Sequence, residues 1–318
     1  MKKLIAVGLL LSNFVFAQNI KDTLSKEGTF EKACAFPAAL PHAKKAKKTS
    51  FEKIEIETTS FKKNKKEVNP FKKGSVMVFW GWNNAVYSKS DIHFKGNGYD
   101  FQLNNVVAHD RQTKFDWGTY FNPGSITIPQ VNYRITYFPK DNFGITLGMD
   151  HMKYVMDQNQ TVDFKGYIND PEYSSLVENG KADLSDSKLL TFEHTDGLNY
   201  INIGAQKYHN VLDKKNIDLF LSYGAGIGAL LPKSNVQLMG NERSDRFHLA
   251  GFGTDIRAAV NLVLVRHIVV QAEGKLGYIN MPDIKTTLNN KPDKASQDFV
   301  YAQFNFGIGY TFNTKKYN

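Results

Sequence analysis

The sequence predicts an all-β fold: a transmembrane antiparallel β-barrel of about ten strands, or about twelve in the alternative count, behind a largely disordered N-terminal leader. Three observations carry this expectation. Apolar residues alternate with glycine, polar or charged ones through the C-terminal third. Ile217, Leu219, Leu221, Tyr223, Ala225, Ile227 and Ala229 share one parity, and Asp218, Phe220, Ser222, Gly224, Gly226 and Gly228 the other. Period two puts successive side chains on opposite faces of a strand, and about ten tilted residues cross a bilayer. The N-terminus carries an export signal, and no later run reaches about 18 uninterrupted apolar residues. An exported chain that stays in a membrane without helices has to close into a barrel, because only closure pairs every backbone group internally. A soluble sandwich also alternates, but its core face is rarely opposed so consistently by Gly, Asn, Gln, Lys and Asp.

Lys2 and Lys3 precede the apolar run from Leu4 to Phe16, and Ala17 follows with Val15 two residues before it. This predicts a signal peptide over residues 1–17, cut between Ala17 and Gln18. Residues 18–73 then form a basic, flexible periplasmic segment. Between Lys21 and Lys73 there are 14 lysines against 7 acidic residues, a local +7. With Lys2 and Lys3 this accounts for the whole formal charge of +9, so the expected barrel, 74–318, is neutral. Such a composition buries too little apolar surface to offset the entropy of ordering. A nucleic-acid tail has a similar composition, but export argues against nucleic acid as a partner. Anionic headgroups or a periplasmic partner of residues 18–73 suit the same charges. Cys34 is the single cysteine, so no intramolecular disulfide frames the fold.

The first strand is expected at Ser75–Asn84, where Val76, Val78, Trp80 and Trp82 share a face. Asp91–Lys95 and Tyr99–Leu103 flank Gly96-Asn97-Gly98, a turn signal, and read as a hairpin or as one bulged strand. Ser125–Tyr137, Phe143–Val155, Leu198–Tyr208, Ile217–Leu230, Arg246–Leu264, His267–Tyr278 and Phe299–Phe312 follow. Short connections at 138–142, 209–216 and 265–266 alternate with long ones at 157–197, 231–245 and 280–298. Short periplasmic turns and longer outer loops alternate in this way in membrane barrels, which leaves the C-terminus periplasmic. A leader that starts on the same side requires an even strand number. That favours the hairpin and the ten-strand count. A separate strand at Leu189–His194, with a partner, raises it to twelve.

Tyr133, Tyr137, Phe138 and Phe143 gather around one short turn, and Tyr310 and Phe312 end the last strand, as amphipathic rings do at a headgroup interface. The last alternation, Val300, Ala302, Phe304, Phe306, Ile308, Tyr310 and Phe312, resembles the terminal strand of bacterial outer-membrane proteins. Thr314–Asn318 depart from a strictly aromatic terminus. Trp80-Gly81-Trp82-Asn83-Asn84, the stretch Ser90–Gly96 with Tyr99-Asp100-Phe101, and His151–Met156 accompany the lysine-rich leader and long outer loops. Together these are similar to the outer-membrane β-barrel proteins of the Bacteroidetes group. The resemblance implies the outer membrane of a Gram-negative bacterium, with outer-membrane lipids as partners and the barrel assembly machinery during biogenesis. It carries no specific activity.

The inward parity predicts a lumen network of Asp255, Arg257, Gln271, Glu273, Lys275, Gln303 and Asn305, with Asn261 beside it. Opposite charges inside a small barrel pair with one another or line a narrow channel. Ten strands are only modestly wider than about eight, whose interior side chains fill completely. Gly224, Gly226, Gly228, Gly251, Gly253, Gly307 and Gly309 free volume and suit either a narrow pore or a filled scaffold. The expected function is an integral outer-membrane barrel of structural or narrow-channel, transport type. The alternative is a lipid A or phospholipid acyl hydrolase that uses an outer-rim histidine, His151, His194 or His248, as general base. Asp150, Glu193, Asp196, Asp245 and Ser244 lie near these in sequence. Neither Gly-x-Ser-x-Gly nor His-Glu-x-x-His occurs, and no calcium-loop spacing is found. No cofactor is expected, and metal binding is left open.

Overall fold

The computed structural model describes residues 69–313 except 115, 121, 123–128, 186, 215–216 and 289–291. The expected signal peptide and the leader up to residue 68 lie outside the described residues. Among those described, 15 strands run in chain order. They are β1 Ser75–Tyr87, β2 Ser90–Gly96, β3 Tyr99–Val106, β4 Ala108–His109, β5 Val131–Lys140, β6 Phe143–Met156, β7 Thr161–Ile168 and β8 Val177–Glu178. β9 Lys181–Asp183, β10 Leu190–Lys214, β11 Ile217–Leu230, β12 Asn235–Leu238, β13 Gly251–Leu264, β14 Ile268–Lys285 and β15 Lys294–Asn313 complete them.

A closed antiparallel barrel is built from β1, β5, β6, β10, β11, β13, β14 and β15 in that order. The ring closes because β15 pairs back onto β1, from Ser75↔Asn313 to Tyr87↔Tyr301. The wall therefore has eight strands rather than the ten expected. The hairpin β2–β3 forms at Gly96-Asn97-Gly98 as the turn signal required, but β2 pairs an overhang of β15, from Lys294↔Lys95 to Asp298↔Asp91. That overhang lies beyond the segment of β15 that meets β1, so the hairpin extends the sheet outside the ring. The twelve-strand alternative fails for a related reason. Leu190–Glu193 belong to β10 itself and pair with β12, while a bulge between His194 and Leu198 sets them off from the wall. Eight is still even, and the first and last wall residues, Ser75 and Asn313, face one another at one end.

Boundaries shift by a few residues elsewhere. β5 begins at Val131 rather than Ser125, with 125–128 outside the described residues, and β13 begins at Gly251 rather than Arg246. The long connection 157–197 holds β7, β8 and β9, which extend the β2–β3 sheet. At the opposite end, Leu264 and His267 bracket a tight turn whose central residues, Val265 and Arg266, both have positive φ, 49° and 72°. Both signs match a type I′ turn, whose twist suits the flanking strands.

Parity sorts the wall as expected. Val78, Ile135, Leu147, Ile203, Tyr223, Ile227, Ile256, Ile308 and Tyr310 point outward and are exposed. A continuous apolar band of this kind is far larger than a water-soluble monomer carries, and matches the lipid-facing belt of a membrane barrel. No described helix is long and apolar enough to cross a membrane. The interior holds two apolar clusters. A large one at the long-loop end includes Phe94, Phe101, Tyr154, Phe192, Leu198, Tyr200, Met281 and Phe299. A small one at the short-turn end holds Phe71, Met77, Phe138, Tyr208, Phe220, Val263 and Val269.

Candidate functional site

The feature to be explained is what occupies the interior between those clusters. On β5, Asn132, Arg134 and Thr136 share the inward parity. On β6, Thr146 and Asp150 do, and all five side chains are buried. Arg134 forms a fork on Glu273, with Nη1 donating to Oε2 at 2.9 Å and Nη2 2.8 Å from Oε1. Its Nη2 also lies 3.4 Å from Asp150, and Asp150 in turn pairs with Lys275. Arg257 meets Asp255, its Nε donating to Oδ1 at 2.7 Å and its Nη2 to Oδ2 at 2.8 Å. Three cations thus face three anions, and the middle of the barrel is electrically neutral. Neutral groups add further hydrogen bonds around the ion pairs, while Arg134 Nε and Arg257 Nη1 make none. Asn305 donates to Glu273 at 2.8 Å, Asn132 to Asn305 at 2.7 Å, and the Tyr200 hydroxyl to Asp255 at 3.0 Å. Gln271 donates to Asn261 at 2.6 Å, and Asn261 to Ser222 at 2.9 Å. Buried charges persist only when paired and hydrogen-bonded in this way.

All seven residues expected in the lumen network face inward and are buried. Gln303, however, has no hydrogen-bond partner for either amide atom and stands apart from the ion pairs. Arg134 was missed as a lumen residue, and Asp150 was considered only for its nearness to His151. The same parity that placed Glu273 would have turned both inward. Which anion meets which cation depends on ring closure, which brings β5 and β6 opposite β14. Of the glycines expected to free lumen volume, Gly226 and Gly253 make room for side chains, whereas Gly224, Gly228, Gly251 and Gly307 lie against neighbouring backbone. A Cβ at Gly226 would collide with the Arg257 guanidinium and Asp255, and one at Gly253 would sit 3.0 Å from the Tyr200 ring.

Both ends of the network are closed. At the short-turn end Phe71 is fully buried, packed at 5.3 Å from Phe138, 4.5 Å from Tyr208 and 4.8 Å from Phe220 between ring centroids. Its backbone is pinned as well. The Phe71 carbonyl accepts from Asn142 at 2.7 Å, and its N–H donates to Asn69 at 2.9 Å. This corrects the expected boundary at residue 73: the end of the basic segment, from Asn69, is part of the barrel. At the long-loop end the large apolar cluster lies over the ion network.

The three outer-rim histidines occupy separate places. His151 Nδ1 lies 2.8 Å from Asn199 Oδ1, His194 Nδ1 2.8 Å from Ser234 Oγ, and His248 Nε2 2.7 Å from Asp283 Oδ2. His194 is wholly buried against Tyr154 and Phe192, on the β10 segment beyond the bulge and so above the wall. Burial holds its pKa down at about 4 despite a nearby Gln297, so it is neutral. Ser234 beside it is 4% exposed, which leaves no approach for an acyl chain. Sequence reasoning did not single out Ser234, since no motif surrounds it. Of these three histidines, His248 meets a carboxylate. Burial raises the Asp283 pKa, but the His248 bond and nearby lysines outweigh that and lower it. Among the described residues no group of three His, Cys, Asp or Glu side chains is placed to hold a metal ion.

Solved structures with some likeness to the chain are outer-membrane proteins. OprG from Pseudomonas aeruginosa aligns at 13% identity over 76% of this chain and 98% of its own, with a TM-score of 0.38. Neisserial surface protein A aligns at 12% over 76% of this chain and 100% of its own, with a TM-score of 0.30. Ail, the attachment invasion locus protein of Yersinia pestis, gives 12%, 76% and 99%, with a TM-score of 0.28. No protein-family model matches the chain, and no curated protein matches it either.

Proposed function

We propose that this protein is an integral barrel of a Gram-negative outer membrane whose role is structural, with a filled interior that conducts no solute. The carrying observation is the filled cross-section: Phe71 and its aromatic neighbours at one end, three neutralised ion pairs in the middle, and an apolar core at the other. The apolar belt supports insertion in lipid, and resemblance to barrels of the Bacteroidetes group supports the outer membrane. In this reading both termini are periplasmic, the long loops face outward, and the basic segment 18–68 lies beside the inner leaflet or a periplasmic partner. Outer-membrane lipids contact the belt, and the barrel assembly machinery acts during biogenesis.

Two measurements test this. Membranes washed with high salt and alkaline carbonate retain an inserted barrel and release a peripheral protein. Purified protein in planar bilayers gives no steady conductance if the interior stays filled. A reproducible ohmic step from the folded protein would overturn the structural reading in favour of a narrow channel.

A further inference from the structure

Beyond the wall, Leu190–Glu193 of β10 pair with Asn235–Leu238 of β12 and form a short two-stranded flap. Its inward side chains, Leu190, Phe192, Val236 and Leu238, are buried in the large apolar cluster. The ladder that ties the flap to β6 holds Glu193↔Val155 and His194↔Tyr154, and then the register breaks until Leu198. Gly197 sits in that break with a φ of 136°, where a side chain would be strained. Its carbonyl accepts from Lys233 N–H at 2.9 Å, so both chains of the flap leave the wall at one irregular point, the geometry of a hinge. We propose that the flap is a proton-sensitive lid: neutral His194 keeps it closed, and protonated His194 drives it open and uncovers the apolar cluster to the outside.

His194 is the polar group beneath the lid. The rings of Tyr154 and Phe192 stand 5.8 and 5.0 Å from its own between centroids. Its Nδ1 shares a hydrogen bond with Ser234 Oγ at 2.8 Å, which joins the two chains of the flap. Its Nε2 makes no hydrogen bond. A neutral imidazole tolerates that position, whereas a protonated one brings a second N–H and a full charge into an apolar core. The groups that face it are neutral. Tyr154 of β6 and Ser90 of β2 are hydroxyls, and Gln297 of β15 donates its amide to them at 2.7 and 2.9 Å. Their charged neighbours in sequence, Lys153, Asp91 and Asp298, have the opposite parity and lie on the outer face. Glu193 does as well, and meets Arg111 there at 3.0 Å, while Lys233 pairs with Asp245 at 3.2 Å. Burial therefore lowers the His194 pKa from 6.5 to about 4, a shift that Gln297 opposes only in part.

One proton does not hold the lid open by itself. The buried apolar side chains keep the closed form dominant, so acid acts on the population of a minor open form. An opened His194 regains the ordinary value of 6.5, against about 4 when closed, and the open form binds the proton first. The lid is fully latched above pH 6.5 and loosens as the pH falls towards 4. The ratio of open to closed rises about tenfold by pH 5.5 and about seventyfold by pH 4.5, and levels at about three-hundredfold in stronger acid. The Phe71 plug and the ion pairs lie at other levels of the barrel, so an open lid makes no channel.

The test is hydrogen exchange read by mass spectrometry on the whole protein in lipid nanodiscs. It is run at about pH 7.5, 5.5 and 4.5, with rates corrected for intrinsic exchange. Protection over 189–194 and 235–239 should fall about tenfold and then about seventyfold, while 217–230 and 251–264 in the wall stay protected. His194→Gln and His194→Leu each remove the titrating ring and should abolish the pH dependence. Ser234→Ala leaves the ring in place and should retain it. Equal flap protection at all three pH values overturns the proposal, as does an acid-induced loss that persists in a folded His194 variant or spreads evenly through the wall. Should neither His194 variant fold, the profile of the unaltered protein decides. A fall of up to about tenfold per pH unit is that of one proton, and a steeper one overturns the lid. Conductance does not enter these outcomes, so this proposal and the filled-lumen reading fail separately.

Discussion

Replacing Arg134 by Met removes one cation from the lumen while keeping its length and apolar stem. Glu273 then loses the two fork contacts at 2.8 and 2.9 Å and keeps Asn305 at 2.8 Å and Gln206 at 3.4 Å. Asp150 loses its weaker contact at 3.4 Å but keeps Lys275. A hydrogen bond to a charged group contributes about 1.5–3 kcal/mol, so two of them amount to roughly 3–6 kcal/mol. Breaking a buried pair by removing one partner typically costs about 3–5 kcal/mol, because the other charge stays behind unpaired. We expect a loss of about 4 kcal/mol, near the middle of both ranges. The pair Arg134→Met with Glu273→Met removes both charges together and should recover most of it, since apolar replacements of a buried pair are often close to neutral. Reversible urea unfolding in lipid vesicles, followed by the fluorescence of Trp80 and Trp82, measures all the terms of this cycle. A single-mutant loss below about 1 kcal/mol, or a double mutant as unstable as the sum of the singles, would show that the network is solvated and does not seal the interior.

Three further outcomes are expected. Deleting residues 20–67 should leave the heat-modifiable folded band intact, whereas deletion of 20–72, or Phe71→Ala, should weaken the barrel by about 3–5 kcal/mol because the aromatic plug at the short-turn end is lost. Acidification should loosen the long-loop end through His194. Its ordinary value of 6.5 falls to about 4 in the folded protein, so the unfolded chain binds the extra proton first. Stability is whole above pH 6.5 and is lost as the pH falls towards 4, by about 3 kcal/mol in total. Proteolysis of the loops across that range should show the loss, and His194→Gln should flatten the profile. Finally, Val265→Asn with Arg266→Gly should stabilise the barrel by about 1 kcal/mol, since both positions have positive φ and neither native residue favours it. An unchanged urea midpoint would refute that account of the turn.

Much of the wall was legible in the sequence because period two is a local property. Ile217–Leu230 needed no correction, and the inward placement of Asp255, Arg257, Glu273 and Lys275 followed from parity alone, since a strand's two faces are set by its own backbone. The turn at Gly96-Asn97-Gly98 was equally local. Where its hairpin docks was not. β2 and β3 alternate as a wall strand does, and only the length of β15 beyond its pairing with β1 puts them outside the ring. Ring closure also decided the partners in the lumen, bringing Arg134 and Asp150 to Glu273 and Lys275 across more than a hundred residues of sequence. Phe71 was hidden for the same reason. Among lysines its composition reads as solvated leader, and only the gap between Phe138, Tyr208 and Phe220 makes it a plug. Periodicity along one strand determined which side chains turn inward, but the closed sheet, by bringing distant strands face to face, determined what they meet there.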